Sequence, residues 1–302
     1  MIFDTHTHYD DEAYDTDREK VIASLVSGGV GRICNIGSTF RGACVSLTLA
    51  ERYEHVYAAV GVHPDDVADL ENDSDPGNTS VIKNESAPAP NENSGADSCR
   101  FLQLREMAKH PRAVAIGEIG LDYHGFDRWP DKPSKEKQIY WFQKQLDLAI
   151  ELDMPVVIHS RNAASDTLEM LQDAHRRGLK NAVLHCFSYS KELALEYVSM
   201  GYYIGFGGVL TYHGQKKLTA ALEAIPRDRI LLETDCPYLT PVPYRNQKAV
   251  GAPESAGESA FVRNCSLYLD VVRDRIAQVL GMTGQEVEQL TWDNANRFFR
   301  LT

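Results

Sequence analysis

Ala113-Val114-Ala115-Ile116-Gly117-Glu118 is a short apolar run that stops on a carboxylate. Its length suits a buried strand better than a helix. The same pattern recurs downstream in Val156-Val157-Ile158-His159, in Ala182-Val183-Leu184-His185 and in Leu231-Leu232-Glu233-Thr234-Asp235. At the N-terminus, Thr5-His6-Thr7-His8 closes the first run in the same way. Extended along the chain, the pattern predicts eight strands, near residues 2–7, 31–37, 56–62, 113–119, 155–160, 181–186, 202–207 and 229–235. Amphipathic helical stretches separate them, for example residues 16–27, 135–152 and 165–177. Alternating strand and helix implies a parallel sheet with right-handed crossovers. Eight such units predict an α/β fold, a TIM-type (β/α)8 barrel with its chemistry at the C-terminal strand ends, as one domain over residues 1–302. No Gly-x-Gly-x-x-Gly loop follows the first strand, which argues against a dinucleotide-binding fold.

Two segments depart from the pattern. Residues 71–98 are rich in Asn, Ser, Pro and acids, so little there can be buried, and a flexible insertion is expected. Its Asn-x-Ser sequons at Asn72, Asn78 and Asn84 are chance products of that composition. Residues 242–260 form a Gly/Pro/Ala-containing loop after the eighth strand. From Phe261 onward the chain reads as helical, and Thr283-Gly284-Gln285-Glu286 has the form of a capping box.

The whole chain is acidic, with a net charge of -12 and a pI near 5.3. This argues against unaided coating of nucleic acid or anionic membrane. It leaves room for an anionic substrate where bound cations dominate the local field. The N-terminus has no basic stretch, apolar h-region or cleavage signal, and no apolar run is long enough to span a membrane. Cys34, Cys44, Cys99, Cys186, Cys236 and Cys265 are scattered without a Cys-x-x-Cys pair. A reduced, cytoplasmic chain is the expectation.

One His-x-His pair is weak as a metal signal. His6 and His8 gain weight because residues two apart on a strand point the same way, and because four further strands end in ligand types. The combined set is His6, His8, Glu118, His159, His185 and Asp235. Four imidazoles and two carboxylates exceed the needs of one ion and fit two divalent cations, about 3.5–4 Å apart, sharing a carboxylate and a water. Glu118 is the expected shared ligand; His6, His8 and Asp235 would complete one ion, and His159 and His185 the other. Nitrogen and oxygen donors suit Zn, Mn, Fe or Co, with Mg less comfortable beside imidazole. Cys186 and Cys236 each follow a ligand by one residue and are expected to turn away and pack.

Asp235, Glu118 and His63 are the candidate catalytic residues. Asp235 would hold a cation and accept the proton of the attacking water. His63 could bind phosphate, protonate the leaving oxygen, or fix the turn before Pro64. Arg161 reads as a phosphate contact or a surface ion pair. Asp122 reads as a substrate contact or a loop-ordering group. Glu233, two residues before Asp235, and Asp4, two before His6, would support the ligands or share their protons. Gly205, Gly207 and Gly208 fit either close substrate approach or turn geometry, and Lys216 and Lys217 a solvated helix face.

DTHTHYD (residues 4–10), GVHPDD (61–66), GEIGLDYH (117–124), IHSR (158–161), HCFS (185–188), GFGGVLTY (205–212) and LLETDCPYLTPV (231–242) lie in order along nearly the whole chain. Together they resemble the TatD family of metal-dependent deoxyribonucleases, within the amidohydrolase superfamily. The resemblance implies a (β/α)8 barrel, the same six metal ligands, and hydrolysis of DNA phosphodiesters, often from the 3′ end. The chain departs from the family pattern at several places, the insertion at residues 71–98 among them. Tyr189 stands where glycine usually follows HCFS, and Gly257-Glu258-Ser259 replaces an Asn-Glu-Pro that usually lies closer to Arg245. Single-stranded DNA 3′ ends are the expected partner. Arg128, Trp129, Lys132, Tyr189, Tyr212 and Arg245 are candidates for a basic, aromatic-lined groove. The competing readings are a small-molecule amide, ester or lactone hydrolase, and a non-catalytic metal-binding partner protein.

Overall fold

The structure is a computed structural model and describes residues 1–71, 98–248 and 262–301. Its eight strands follow one another in a single sheet in chain order, β1 to β8. Helices separate the strands, which is the expected (β/α)8 order. The chain divides into two compact units, residues 1–35 with 180–302 and residues 36–179. No helix among the described residues is long and apolar enough to cross a membrane.

The first unit holds β1 (Ile2–Thr7), α1 (Arg18–Ser24), nearly all of β2 (Val30–Ile36), β6 (Ala182–Leu184), α6 (Lys191–Ser199), β7 (Tyr203–Phe206), α7 (Lys216–Ala224), β8 (Ile230–Leu232), α8 (Leu269–Leu280) and α9 (Gly284–Phe299). Every residue of β1 is buried. The Phe3 ring stacks on Phe299 of α9 at 5.5 Å, and Phe298 beside it is fully buried. Burying each such ring contributes about 1.5–3 kcal/mol. The expected capping box opens α9: Thr283 accepts from the Glu286 amide, and the Glu286 side chain bonds back to the Thr283 amide. Strands β6 and β8 are only three residues long, shorter than expected. Cys186 at φ 43° and Asp235 at φ 59° lie in the left-handed region, where extended pairing cannot continue. His185, Glu233 and Asp235 therefore sit on the segments just past strand ends.

The second unit holds α2 (Phe40–Arg52), β3 (Val56–Val60), α3 (Cys99–Ala108), β4 (Ala113–Asp122), α4 (Lys135–Glu151), β5 (Val156–Arg161) and α5 (Ala164–Arg176). Strand β4 runs three residues further than expected, because Leu121 and Asp122 still pair with Ser160 and Arg161 of β5. Side-chain caps from Thr39, Ser98 and Ser134 start α2, α3 and α4. Two fully buried glutamines of α4 replace absent backbone partners. Gln138 accepts from the Asp122 amide at 2.9 Å and donates to the Asp122 carbonyl at 3.0 Å. Gln145 does the same for Val62, at 2.9 and 3.1 Å. These clamps set the backbone beside Asp122 and His63.

The insertion expected at residues 71–98 begins and ends on ordered contacts. Glu71 accepts from Lys137 at 2.9 Å and from Trp141 at 3.2 Å, while Ser98 caps α3 and bonds to the Leu70 carbonyl. Residues 72–97, including the three sequons, lie outside the described residues, as do residues 249–261 with Gly257, Glu258, Ser259 and Phe261.

Candidate metal centre

In the first unit, the segment after β8 lies along the end of β1. The Asp235 amide donates to the His6 carbonyl at 2.9 Å, and the His8 amide to the Cys236 carbonyl at 2.8 Å. This pairing brings the Asp235 carboxylate to 3.6 Å from His6 Nε2 and 3.3 Å from His8 Nε2. The two Nε2 atoms are themselves 3.0 Å apart. Two imidazole lone pairs cannot face each other at that distance without a proton or a cation between them. His185 stacks on His6 at 3.9 Å, and Glu233 joins His6 and His185 in a second group with ligand atoms within 4.8 Å of one another. The donors are imidazole nitrogens and carboxylate oxygens, all but Asp235 buried, and the set suits a borderline divalent cation.

Charge follows burial here. Burial pushes the Asp235 carboxyl up, but the His8 hydrogen bond and the charges of His6 and His185 outweigh it, so Asp235 lies below its ordinary value. Burial dominates at Glu233, which rises to about 8 despite His185 and the Cys186 amide. Asp4 is raised to about 6, again by burial, against hydrogen bonds led by that from Thr234. Its oxygens bond the Thr234 amide at 3.0 Å, the Thr234 hydroxyl at 2.7 Å and the His6 amide at 3.3 Å. Asp4 thus ties the β8 segment to β1 through the His6 and Thr234 amides and the Thr234 hydroxyl.

Within the second unit, His159 gathers carboxylates around it. His159 Nδ1 lies 2.8 Å from Glu118 Oε1, and Nε2 lies 3.0 Å from Asp122 Oδ2. Burial disfavours the charged imidazole, yet the hydrogen bonds to Asp122 and Glu118 prevail and lift His159 to about 9. His63 meets the His159 ring edge-on at 4.3 Å, with Nε2 4.0 Å from Glu118 Oε1. Its Nδ1 accepts from the Asp65 amide at 3.2 Å, so His63 both fixes the turn and faces the cluster. Burial raises Asp122, but His159, Lys132 and the His124 amide hold it below its ordinary value. Its side chain is 4% exposed. Asp122 bonds to His159, Lys132 and the His124 amide.

The expected substrate contacts fall into two groups. Arg161, at the end of β5, is exposed and forms no ion pair among the described residues. Arg245 lies over the Tyr212 ring at 3.8 Å, and the Tyr212 hydroxyl bonds the Thr240 carbonyl at 3.1 Å. Tyr189 is partly buried, edge-on to Phe187 at 5.9 Å. Trp129 is 49% exposed and Arg128 is exposed. Lys132 does not join a groove: its side chain is 3% exposed and bonded to Asp65 and Asp122. Gly205 and Gly208, of β7 and its loop, have no room for a side chain. A Cβ at Gly205 would meet the Glu233 carboxylate, and one at Gly208 the Leu239 carbonyl. Lys216 and Lys217 are exposed, as a solvated face requires, and Cys236 is buried.

Sequence reasoning missed three supporting groups. Asn35 accepts from the Tyr9 amide at 2.6 Å and donates to Asp10 at 2.8 Å. Asn264 donates to the Thr234 and Tyr238 carbonyls at 3.0 and 2.7 Å. Asp65 accepts from Lys132 at 2.6 Å. Only Asp65, inside the GVHPDD motif, carried any signal in the sequence.

The model of TatD related DNases matches residues 3–300. The uncharacterized metal-dependent hydrolase YabD of Bacillus subtilis is 34% identical over 301 residues, covering 100% of both chains. The 3′-5′ ssDNA/RNA exonuclease TatD of Cronobacter sakazakii is 32% identical over 299 residues, covering 99% of this chain and 97% of that protein. Among solved structures, YjjV, a TatD homolog from Escherichia coli K12, is similar at a TM-score of 0.77 and 26% identity, covering 100% of this chain and 98% of that one.

Proposed function

Since the chain belongs to the TatD-related DNase family and is a metal-dependent hydrolase, we propose that it shortens single-stranded DNA from the 3′ end. The observation that carries the reading is the convergence of His6, His8 and Asp235 in the first unit, with an anionic Asp235 among imidazoles. His6, His8, His185 and Asp235 in that unit, and Glu118 and His159 in the second, are the groups that would hold two divalent cations. When bound, such cations polarise a phosphodiester and acidify water. Asp235, held below its ordinary value and 16% exposed on its side chain, would accept a proton from the attacking water. His63 offers a proton donor toward a leaving oxygen, and Arg161 a charge-assisted contact for phosphate. The Arg245–Tyr212 pair and Tyr189 offer flat faces for bases, a contact worth about 1–3 kcal/mol per base and tolerant of sequence. The preference for DNA ends rests on the family and on the exonuclease relative's activity toward single strands.

End-labelled oligonucleotides with Zn, Mn, Mg, Fe or Co test the reading. A ladder shrinking from the 3′ end and stopped by a terminal phosphorothioate is expected. Equal cutting of closed circular single strands, or no cutting with any of the metals, refutes it. Ester, lactone and amide substrates run in parallel identify the small-molecule alternative.

A further inference from the structure

We infer that Lys132 is a positioning residue which, through Asp122, selects the ring nitrogen of His159 that is presented to a cation. The inference rests on the metal-dependent reading of the second-unit cluster and adds the group that orients it.

A lysine is rarely buried without a reason, because its ammonium loses strong hydration. The Lys132 ammonium is 3.0 Å from Asp122 Oδ1 and 2.6 Å from Asp65 Oδ1, on a side chain that is 3% exposed. The Trp129 and Phe126 rings lie 5.5 and 5.7 Å away and cover it. Gly125, at φ 78°, makes that cover possible, since a Cβ there would lie 2.1 Å from the Trp129 ring. Lys132 thus joins the segment after β3, which carries His63 and Asp65, to the end of β4, which carries Asp122.

The consequence follows from counting donors. Asp122 Oδ1 accepts from Lys132 and from the His124 amide at 2.8 Å. Only Oδ2 is left toward His159, and it meets Nε2 at 3.0 Å. A carboxylate so occupied acts toward His159 as an acceptor, so Nε2 carries a hydrogen. The other nitrogen, Nδ1, lies 2.8 Å from Glu118 Oε1 and donates to it; it is the nitrogen that would give up its hydrogen and turn its lone pair to a cation shared with Glu118. Without Lys132, Asp122 can rotate, either nitrogen can carry the hydrogen, and the ligand set loses its preset geometry.

Charge and positioning predict opposite signs, which makes the idea testable. If the ammonium acted only as a nearby positive charge, removing it would tighten cation binding. As a positioning group its removal should weaken binding about 10–100-fold. The experiment titrates Mn2+ into full-length chelated protein by calorimetry, for wild type, Lys132→Met, Asp122→Asn and the double variant. A second readout is the ring-nitrogen NMR shifts of His159 in the Zn2+-loaded protein. Expected are weaker Mn2+ binding in Lys132→Met, a double variant no weaker than Asp122→Asn alone, and a wild-type spectrum with Nε2 protonated that turns mixed in Lys132→Met. Unchanged or tighter binding, or losses that multiply in the double variant, overturns the inference. Where Lys132→Met does not fold, Asp65→Asn decides. Freeing the ammonium from Asp65 should keep affinity within about threefold, and a loss as large as that of Asp122→Asn overturns the inference. None of these readouts uses a nucleic acid, so failure of the DNA reading leaves the outcome interpretable.

Discussion

Gly205→Ala tests whether a buried carboxylate occupies the space behind the histidines. A Cβ at Gly205 would lie 2.2, 2.6 and 2.8 Å from Glu233 Oε2, Cδ and Oε1. Ordinary contact distances are about 3.5 Å, so the carboxyl must retreat by roughly 1 Å. It has little room to do so. Glu233 is 1% exposed and Oε1 accepts from the Cys186 amide, while the Gly205 carbonyl is held by the Phe187 amide at 3.2 Å. Overpacking costs about 1–3 kcal/mol, and a buried amide left without its acceptor adds about 1–3 more. Partial relaxation makes about 2–4 kcal/mol the expected loss. Urea unfolding of chelated wild type, Gly205→Ala, Glu233→Ala and the double variant measures it. In the Glu233→Ala background the new methyl meets empty space, so its added cost should fall below about 1 kcal/mol. The same penalty in both backgrounds, or a penalty under about 0.5 kcal/mol in the Glu233 background, refutes the packing argument.

Chelation should abolish hydrolysis and a divalent cation restore it, while Asp235→Asn lowers turnover about 10²–10⁴-fold with the circular dichroism spectrum unchanged; full activity after exhaustive metal removal contradicts this. Burial first, then the charges of Asp65, Asp69 and Glu118, raise the Asp66 carboxyl from 3.8 to about 6. A folded value above the unfolded one means that stability falls as pH rises between the two, and Asp66→Asn should remove that fall. The full shift corresponds to about 3 kcal/mol, and screening at this partly exposed position reduces it to about 1–2 kcal/mol, read as the difference between unfolding curves at about pH 4 and pH 7. Replacing residues 72–97 by a short Gly/Ser linker should leave the melting temperature within a few degrees, since their composition offers little to bury. Ser98→Ala should cost about 1 kcal/mol through the lost α3 cap, and equal costs for the two changes would show that the segment is packed.

The fold class, and the residue types that gather at the candidate site, were legible in the residues alone. Apolar runs that stop on His, Glu or Asp report both a buried strand and the place where it meets solvent, because the hydrophobic effect and metal chemistry act on residue type. The capping box at Thr283 was legible for the same reason, as its bonds join neighbours in sequence. Strand ends were less so: β6 and β8 stop early where Cys186 and Asp235 turn left-handed, and β4 runs on where β5 offers partners. Partners distant in sequence were decided only by the tertiary structure. Lys132 read as a groove cation and is a buried tie between Asp65 and Asp122. Gly205 read as close substrate approach or turn geometry, and its missing side chain leaves room for Glu233. Asp4 read as a support for His6 from its spacing alone, and its grip on Thr234, 230 residues away, came only from the fold. Composition and spacing specify which groups a chain owns and which face of a strand they share. Which acceptor each donor meets depends on how non-adjacent segments pack, and that information enters only when the chain is folded.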